Sequence, residues 1–199
     1  AKSPGYHYPV IDSTVVPTQY AAVIPAYVEW LEGTFIDVIG ESIAKMSPAS
    51  LSFVSGQPVP FAVSRRYPDG KGGVLYRSGP SSYWTAGPRD DTVPVLNVTG
   101  ADGKVRAIVF GYACHPITLS ESVFSADYPG YAQLFIEEAY PGAVAMFVQG
   151  DCGQLVPNAR FEREYAAGHG RALASAVKKA IEKGTVPLNG PLKSAYDEV

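Results

Sequence analysis

Residues 105–119 read Val-Arg-Ala-Ile-Val-Phe-Gly-Tyr-Ala-Cys-His-Pro-Ile-Thr-Leu, an apolar run that ends in a histidine and a proline. The part from Val105 to Tyr112 predicts a buried β-strand, because short apolar runs bounded by turn residues are typical of strands inside a sheet. His115 then lies just beyond the carboxyl end of the strand. In open α/β sheets that end is where ligands and catalytic groups collect. His115 is therefore the first candidate for a functional residue.

A second apolar run, residues 143–148, ends in a glycine-rich polar turn that contains Gly150 and Asp151. Between the two runs, a helix is predicted to begin at Asp127. The order strand–helix–strand predicts two neighbouring parallel strands with a right-handed crossover. Both carboxyl ends would then meet at one edge of the sheet, and we expect Asp151 and Arg65 to converge with His115 on one concave surface there.

The remaining segments complete an α/β fold over a single domain, residues 1–199. A Gly- and Pro-rich stretch, residues 57–91, is predicted as a long loop, and Arg65 and Arg66 lie near its start. Loops of this length in compact domains are usually functional. The class predicted is a mixed sheet with a parallel strand–helix–strand unit flanked by helices. Its other elements are a helix at about 18–46, a strand at 51–55, a hairpin strand at 93–99, and helices at 127–140 and 161–183.

Composition excludes several classes of function. The 46% hydrophobic and 18% charged residues describe an ordinary globular chain, and the net charge of −3 gives no basic surface for nucleic acid. Serine-hydrolase elbows, phosphate-binding loops, dinucleotide fingerprints and local zinc motifs are all missing from the sequence. If His115 binds a metal ion, the other ligands come from far away in sequence or from outside this chain.

Each candidate residue also has a purely structural interpretation. His115 could be satisfied by a hydrogen bond at the end of its strand, and Asp127 is well placed to cap a helix. Asp151 could be a turn residue. Cys114 and Cys152 are each expected to be buried packing residues, although a disulfide is conceivable if their strands are neighbours.

Three spaced motifs, at residues 110–118, 125–132 and 147–158, resemble those of the neutral/alkaline non-lysosomal ceramidases, and more closely those of their bacterial ceramidase-like relatives. The helix at 27–46, the Ser64-Arg65-Arg66 opening and the closing stretch 187–192 fit the same pattern in the same order. The resemblance covers essentially the whole chain, and it marks the chain as an internal piece of a longer catalytic domain.

The resemblance implies a zinc amidase that cleaves the N-acyl bond of ceramide or a related lipid amide. In that family two histidines, a glutamate and a tyrosine hold the zinc, which polarises the amide carbonyl and activates water. The second histidine corresponds to His115. A His-x-His motif is expected just before Ala1 and the other ligands beyond Val199, so the remaining zinc ligands lie outside this chain. Arg65 matches an arginine near the reacting group, where its donors would steady an oxyanion.

The same resemblance implies a secreted or periplasmic parent protein, and its lipid substrate is compatible with association with a membrane surface. Two departures from the family bear on ceramide itself more than on the zinc chemistry. Val156 stands where the ceramidases carry a serine, and Asp151-Cys152 replaces an Asn-Ala pair. Asp127, Gly150 and Asp151 are expected to line the site.

Two other functions remain open at this point. The chain could belong to a non-catalytic descendant that keeps the fold and binds a lipid or a glycan. It could also be an unrelated α/β binding domain in which His115 has a structural role only.

Overall fold

The computed structural model describes residues 23–76, 87–191 and 193–196. The chain separates into two compact units, Ala1–Ser47 and Pro48–Val199. In the first unit the described part is helix α1 (Val23–Ala44), which buries none of its residues. Pro25 lies in its first turn, where a missing N–H costs no hydrogen bond. The expectations for the residues that precede α1, among them the turn after a His-x-His motif, lie outside the described residues.

The described part of the second unit holds one five-stranded sheet, two small two-stranded sheets and two helices. The helices are α2 (Asp127–Ala139) and α3 (Arg163–Lys183). The strands are β1 (Ala49–Gly56), β2 (Ala62–Ser64), β3 (Arg66–Pro68), β4 (Val74–Tyr76), β5 (Val93–Gly100), β6 (Val105–Tyr112), β7 (Val144–Gln149), β8 (Leu155–Pro157) and β9 (Val186–Leu188).

The main sheet has the strand order β7-β6-β5-β1-β9. Strands β5 and β6 form an antiparallel hairpin, and β1 pairs antiparallel with both β5 and β9. Strands β6 and β7 run parallel, with Tyr112 opposite Gln149 at their carboxyl ends, and α2 lies between them in sequence. The predicted α/β class with a mixed sheet is confirmed.

The stretch predicted as one long loop, residues 57–91, contains three short strands. Strand β2 pairs with β8, and β3 pairs with β4. The prediction was wrong here because three-residue strands are too short to show an apolar period. The partner of β2 also lies far away in sequence, so no local pattern marks it.

The hydrophobic core lies between one face of the main sheet and the helices α2 and α3. Its sheet residues alternate along the strands, as in Val93, Val95, Ile108, Phe110 and Tyr112. Asn97 continues the series on the same face and is 7% exposed, and its Nδ2 donates to Thr99 Oγ1 over 3.1 Å. Asn97-Val98-Thr99 has the sequence of an N-glycosylation sequon, and the burial of Asn97 closes it to modification in the folded chain.

An aromatic cluster fills the core beneath the carboxyl ends of β6 and β7. Phe61 packs against Tyr112 and Tyr128 with ring centroids 4.7 and 5.2 Å apart. The ring of His169 stacks on Phe61 at 4.2 Å, and its Nε2 lies 3.0 Å from the carbonyl oxygen of Ala159. His169 is thus a buried packing residue.

Helices α2 and α3 approach closely at Gly170. A Cβ atom there would lie 2.5 Å from Tyr131 Cβ and 2.9 Å from the backbone oxygen of Tyr128. Gly168, two residues earlier on the same helix, has no atom within 4 Å of the equivalent position. The two glycines therefore differ in their steric surroundings while sharing one helix.

We expect Gly170→Ala to lower stability by about 1–3 kcal/mol, because the added methyl group forces the helices apart. Gly168→Ala is the matched control and should raise stability by up to about 1 kcal/mol through helix propensity. Urea unfolding followed by circular dichroism measures both. Equal effects of the two substitutions would contradict the close helix contact.

A second expectation concerns the stability of the folded chain at acid pH. Burial lowers the pKa of His169 below its ordinary value of 6.5, so the folded chain holds this ring neutral while the unfolded chain takes up a proton first. The stability this provides is present above pH 6.5 and is lost as the pH falls below that value toward the folded-state pKa. Melting curves of the wild type and of His169→Gln between pH 7.5 and pH 5 should show a smaller acid-side loss in the variant. An equal loss of melting temperature in the two proteins would contradict the assignment of His169 as a buried, neutral ring.

Candidate active site at the carboxyl ends of the parallel strands

His115 lies three residues beyond β6, in a tight turn. Its backbone N–H donates to the carbonyl oxygen of Leu155 over 3.0 Å, and its own carbonyl accepts from the Ile117 N–H over 2.9 Å. The side chain is half-buried, and Nδ1 is fully buried without a hydrogen-bond partner among the described residues. Buried polar atoms are nearly always paired in proteins, so this ring nitrogen is available to a water molecule, a metal ion or another group from outside the described residues.

The residue before His115 is held by two side chains. The carbonyl oxygen of Cys114 accepts hydrogen bonds from the Tyr128 hydroxyl and from Gln149 Nε2, at 2.5 and 3.1 Å. Burial raises the pKa of the Tyr128 hydroxyl, which therefore stays protonated and able to donate. Helix α2 and strand β7 together fix the chain that carries His115.

Asp127 anchors the other side of the His115 turn. It was predicted to cap α2, but it is the first helical residue, and Ala126 at the cap position makes no side-chain hydrogen bond. Its carboxylate oxygens accept from the N–H groups of Leu119 and Tyr128, at 2.8 and 2.7 Å. The backbone takes a φ of 51° to allow this, a left-handed conformation that Asp tolerates better than most residues. The prediction missed this role because Leu119 is brought near only by the fold.

The turn after β7 contacts the elements that carry the other candidates. The Asp151 carboxylate accepts from Gln154 Nε2 over 3.0 Å. The carbonyl oxygen of Gln154 accepts from the Arg65 N–H over 2.7 Å, and that of Leu155 accepts from the His115 N–H. One short segment therefore links the backbones that carry Arg65, His115 and Asp151.

Gly150 allows the two strand ends to come together. A Cβ atom on Gly150 would lie 3.1 Å from Ala113 Cα and 3.2 Å from Ala113 Cβ, closer than side chains normally pack. Its N–H donates to the Tyr112 carbonyl oxygen over 3.0 Å. The glycine thus extends the parallel pairing one residue beyond β7.

Arg65 brings positive charge to the site. Its Nη1 donates to the Tyr76 hydroxyl over 2.5 Å, and its Nε is buried without a hydrogen-bond partner among the described residues. Burial lowers the pKa of Arg160, and the nearby positive charge of Arg65 lowers it further. Two guanidinium groups therefore lie in the same region of the structure. Arg160 was not singled out from the sequence, although it follows the third motif by only two residues.

A cavity of about 490 Å³ lies beside these strand ends, on the face of the sheet opposite α2 and α3. Gly150, Asp151 and Gln154 line one polar end, and Arg89, Asp90 and Thr92 add polar and charged groups elsewhere in the lining. Its apolar wall includes Phe53, Leu96, Val109 and Val148. Of the residues predicted for the site, Gly150 and Asp151 line the cavity, whereas Arg65 and His115 do not. The backbones of Arg65 and His115 are hydrogen-bonded to the segment that follows Asp151.

The described residues supply one candidate donor for a metal ion. They contain no group of three or more His, Cys, Asp and Glu side chains placed to hold one. Burial raises the pKa of the Cys114 thiol, so this group is protonated when no metal ion is bound. Cys114 and Cys152 are both free. The unpaired Nδ1 of His115 fits a single ligand of a metal site completed from elsewhere.

Val156 is fully buried. It packs with Val63, its partner across β2 and β8, and with Ile117 from the His115 turn. The side chain at this position is therefore part of an apolar contact that packs against the turn carrying His115.

The fold is that of one part of a ceramidase. Over 77% of this chain it matches a neutral ceramidase from Pseudomonas aeruginosa, with a TM-score of 0.61 and 18% identity, and it spans 26% of that chain. A ceramidase complexed with C2 matches over 74% of this chain, with a TM-score of 0.59 and 19% identity, across 24% of its length. The chain therefore spans about a quarter of these enzymes, as expected for an internal fragment. Neither a family model nor a curated protein matches its sequence. Among the described residues, every helix is too short or too polar to cross a membrane.

We expect Asp127→Ala to lower the free energy of unfolding by about 3 kcal/mol, because one buried and one half-buried N–H group lose a charged acceptor and alanine strains the left-handed backbone. Asp127→Asn keeps one carbonyl acceptor and should lose about half as much. The exposed Asp102→Asn, which breaks a surface ion pair with Arg106, is the control and should change little. Denaturant titration ranks the three, and an Asp127→Ala variant as stable as the control would contradict the anchor.

Proposed function

We propose that this chain is part of a zinc-dependent amidohydrolase of the neutral ceramidase type, which hydrolyses the N-acyl bond of ceramide or a related lipid amide. The observation that carries the proposal is the buried, unpaired Nδ1 of His115. It lies at the carboxyl end of a central strand, in a chain whose fold is that of a quarter of a neutral ceramidase.

His115 would supply one nitrogen ligand, and residues outside this chain would supply the others. Catalytic zinc sites use about three protein ligands and keep one position open. When bound, zinc supplies a Lewis acid and activated water at neutral pH. The chain alone would hold the ion weakly and be inactive.

The neighbours of His115 orient it. Tyr128 and Gln149 hold the Cys114 carbonyl oxygen, and Asp127 holds the Leu119 N–H. These bonds act on the backbone on either side of His115, so they would fix the point at which its side chain leaves the chain. They are positioning residues, since their own polar groups are occupied by these contacts.

Arg65 would stabilise negative charge on the amide oxygen as the bond is attacked. A guanidinium offers several N–H donors in a fixed plane, and preorganised donors of this kind stabilise an oxyanion strongly. Its unpaired, buried Nε supports this role, because a donor already paired within the protein has less to offer a substrate.

The substrate class rests on the similarity to ceramidases and on the apolar wall of the cavity beside Asp151. Val156 removes the hydroxyl group of the family serine, so a lipid amide related to ceramide fits the proposal as well as ceramide does. A secreted or periplasmic location and contact of the parent protein with a membrane surface belong to the same proposal.

A second candidate is a non-catalytic descendant that binds a lipid or a glycan. A parent protein without a His-x-His motif upstream of this chain would support it.

The test compares the chain with the longer protein that contains it. We expect calorimetric zinc titration to show weak binding by the chain and stoichiometric binding by the longer protein. His115→Ala in the longer protein should abolish stoichiometric binding and amidase activity. Arg65→Lys should keep zinc and lower kcat by about 100-fold or more, because the planar donors are lost.

Arg106→Ala is the control, since Arg106 lies toward the opposite end of β6 in an exposed ion pair; it should change neither readout. Tight zinc binding by the chain alone would refute the divided site. Full activity of His115→Ala would remove this residue from the chemistry.

A further inference from the structure

The main sheet has a second face, opposite the one on which α2 and α3 pack. We call it the open face; it consists of the residues of the five strands whose side chains alternate with those of the core. The register places one row of five apolar side chains straight across the sheet. These are Val186, Phe53, Leu96, Val109 and Met146.

A second row runs beside the first and is equally apolar. It consists of Leu188, Leu51, Val98, Ala107 and Val144. Neither row contains a charged or polar side chain. Several members are well exposed, including Phe53 at 41%, Met146 at 44% and Val144 at 55%. The open face is therefore a continuous apolar surface across all five strands.

Such a face differs from a sheet face that meets water. Solvated faces of antiparallel sheets carry polar residues in alternation, and parallel strands are normally covered on both faces. Strand β7 is apolar at each of its first five positions, 144–148, with Ala145 buried and Met146 exposed. The sequence of β7 thus has the composition of a strand buried on both sides, although Val144, Met146 and Val148 are exposed among the described residues.

The size of the open face helps to decide what covers it. Five strands about 4.8 Å apart, with about 20 Å of strand length, give a projected area on the order of 500 Å². Two copies stacked on this face would bury on the order of 1,000 Å² in total, which is below the usual 1,200–2,000 Å² of stable interfaces. A layer within the same polypeptide does not have to overcome the entropy cost of association, so an area of this size is sufficient for it.

We infer that the open face packs against a second apolar layer, a β-sheet belonging to the longer polypeptide of which this chain is a part. Two sheets stack about 10 Å apart with interdigitating apolar side chains, and two neighbouring apolar rows across five strands suit that packing. The ceramidases that share this fold extend far beyond it, since the chain spans 26% of one of them. The inference does not depend on the chemistry proposed for His115.

The cavity lies against the open face, so a layer that covers this face would also affect the candidate site. Phe53, Leu96 and Val109 belong both to the open face and to the wall of the 490 Å³ cavity, whose polar end holds Gly150 and Asp151. A covering sheet would border this cavity and limit its access to water. The same apolar surface would then serve both folding and the enclosure of the site.

The experiment uses a matched pair of substitutions, Met146→Lys on the open face and Leu134→Lys on α2. The two side chains are similarly exposed, at 44% and 49%. In the chain alone, both variants should melt within about 2 °C of the wild type, because neither lysine is buried. The wild-type chain should bind the dye anilinonaphthalene sulfonate, and Met146→Lys should reduce that fluorescence several-fold.

In the longer protein, Met146→Lys should lower Tm by more than 5 °C, because it buries a charge in an apolar contact, and Leu134→Lys should not. If that variant fails to fold, Met146→Cys provides the readout: a maleimide should label it rapidly in the chain and at least 10-fold more slowly in the longer protein. The wild-type thiols give the background rate.

Three results would overturn the inference. Equal labelling of Met146→Cys in both proteins would show that nothing covers the face. A chain that is monomeric and binds no dye would show that the cover lies within these 199 residues. A tight dimer of the chain, with Kd below 1 µM by sedimentation equilibrium and lost in Met146→Lys, would assign the face to a second copy. None of these readouts uses amidase activity, so they are independent of the proposed function.

Discussion

The parallel pairing of β6 with β7 is the constraint on which the rest of the site depends. It sets Tyr112 opposite Gln149, so the turns that follow both strands leave the sheet at the same edge. Gly150 then donates to the Tyr112 carbonyl oxygen, and the Gln149 side chain reaches the carbonyl oxygen of Cys114. A residue larger than glycine at position 150 would collide with Ala113 and separate the turns. Without this pairing, His115 would have no fixed relation to the turn that ends β7.

The sequence was sufficient for the elements whose signals are local. Strands β6 and β7 are continuous apolar runs, and α3 has a helical period that ends at Gly184, so their existence could be predicted. Strands β2 and β8 could not, because each has three residues and its partner lies far away in the chain. The role of Asp127 was hidden for a related reason. Its carboxylate binds the N–H of Leu119, and that contact exists only once α2 has packed on the sheet.

The candidate site also combines features that depend on local sequence with features that depend on the packing of distant segments. The position of His115 after a buried strand could be predicted from the sequence. Its unpaired ring nitrogen, and the charge of Arg160 beside Arg65, depend on how separate segments meet. The resemblance to ceramidases anticipated the fold that the structural comparison found at only 18% identity. Spaced motifs at strand ends thus retained information that overall sequence identity had lost.

Asn97 has a practical consequence for producing this protein. Its side chain lies on the core face of β5, and its amide donates to Thr99, the third residue of the same sequon. An oligosaccharide added to Asn97 during synthesis in a eukaryotic secretory host would occupy the side of the sheet that must be buried. Every chain modified in this way would be diverted from folding. Expression without N-glycosylation, in a bacterial host, avoids that loss.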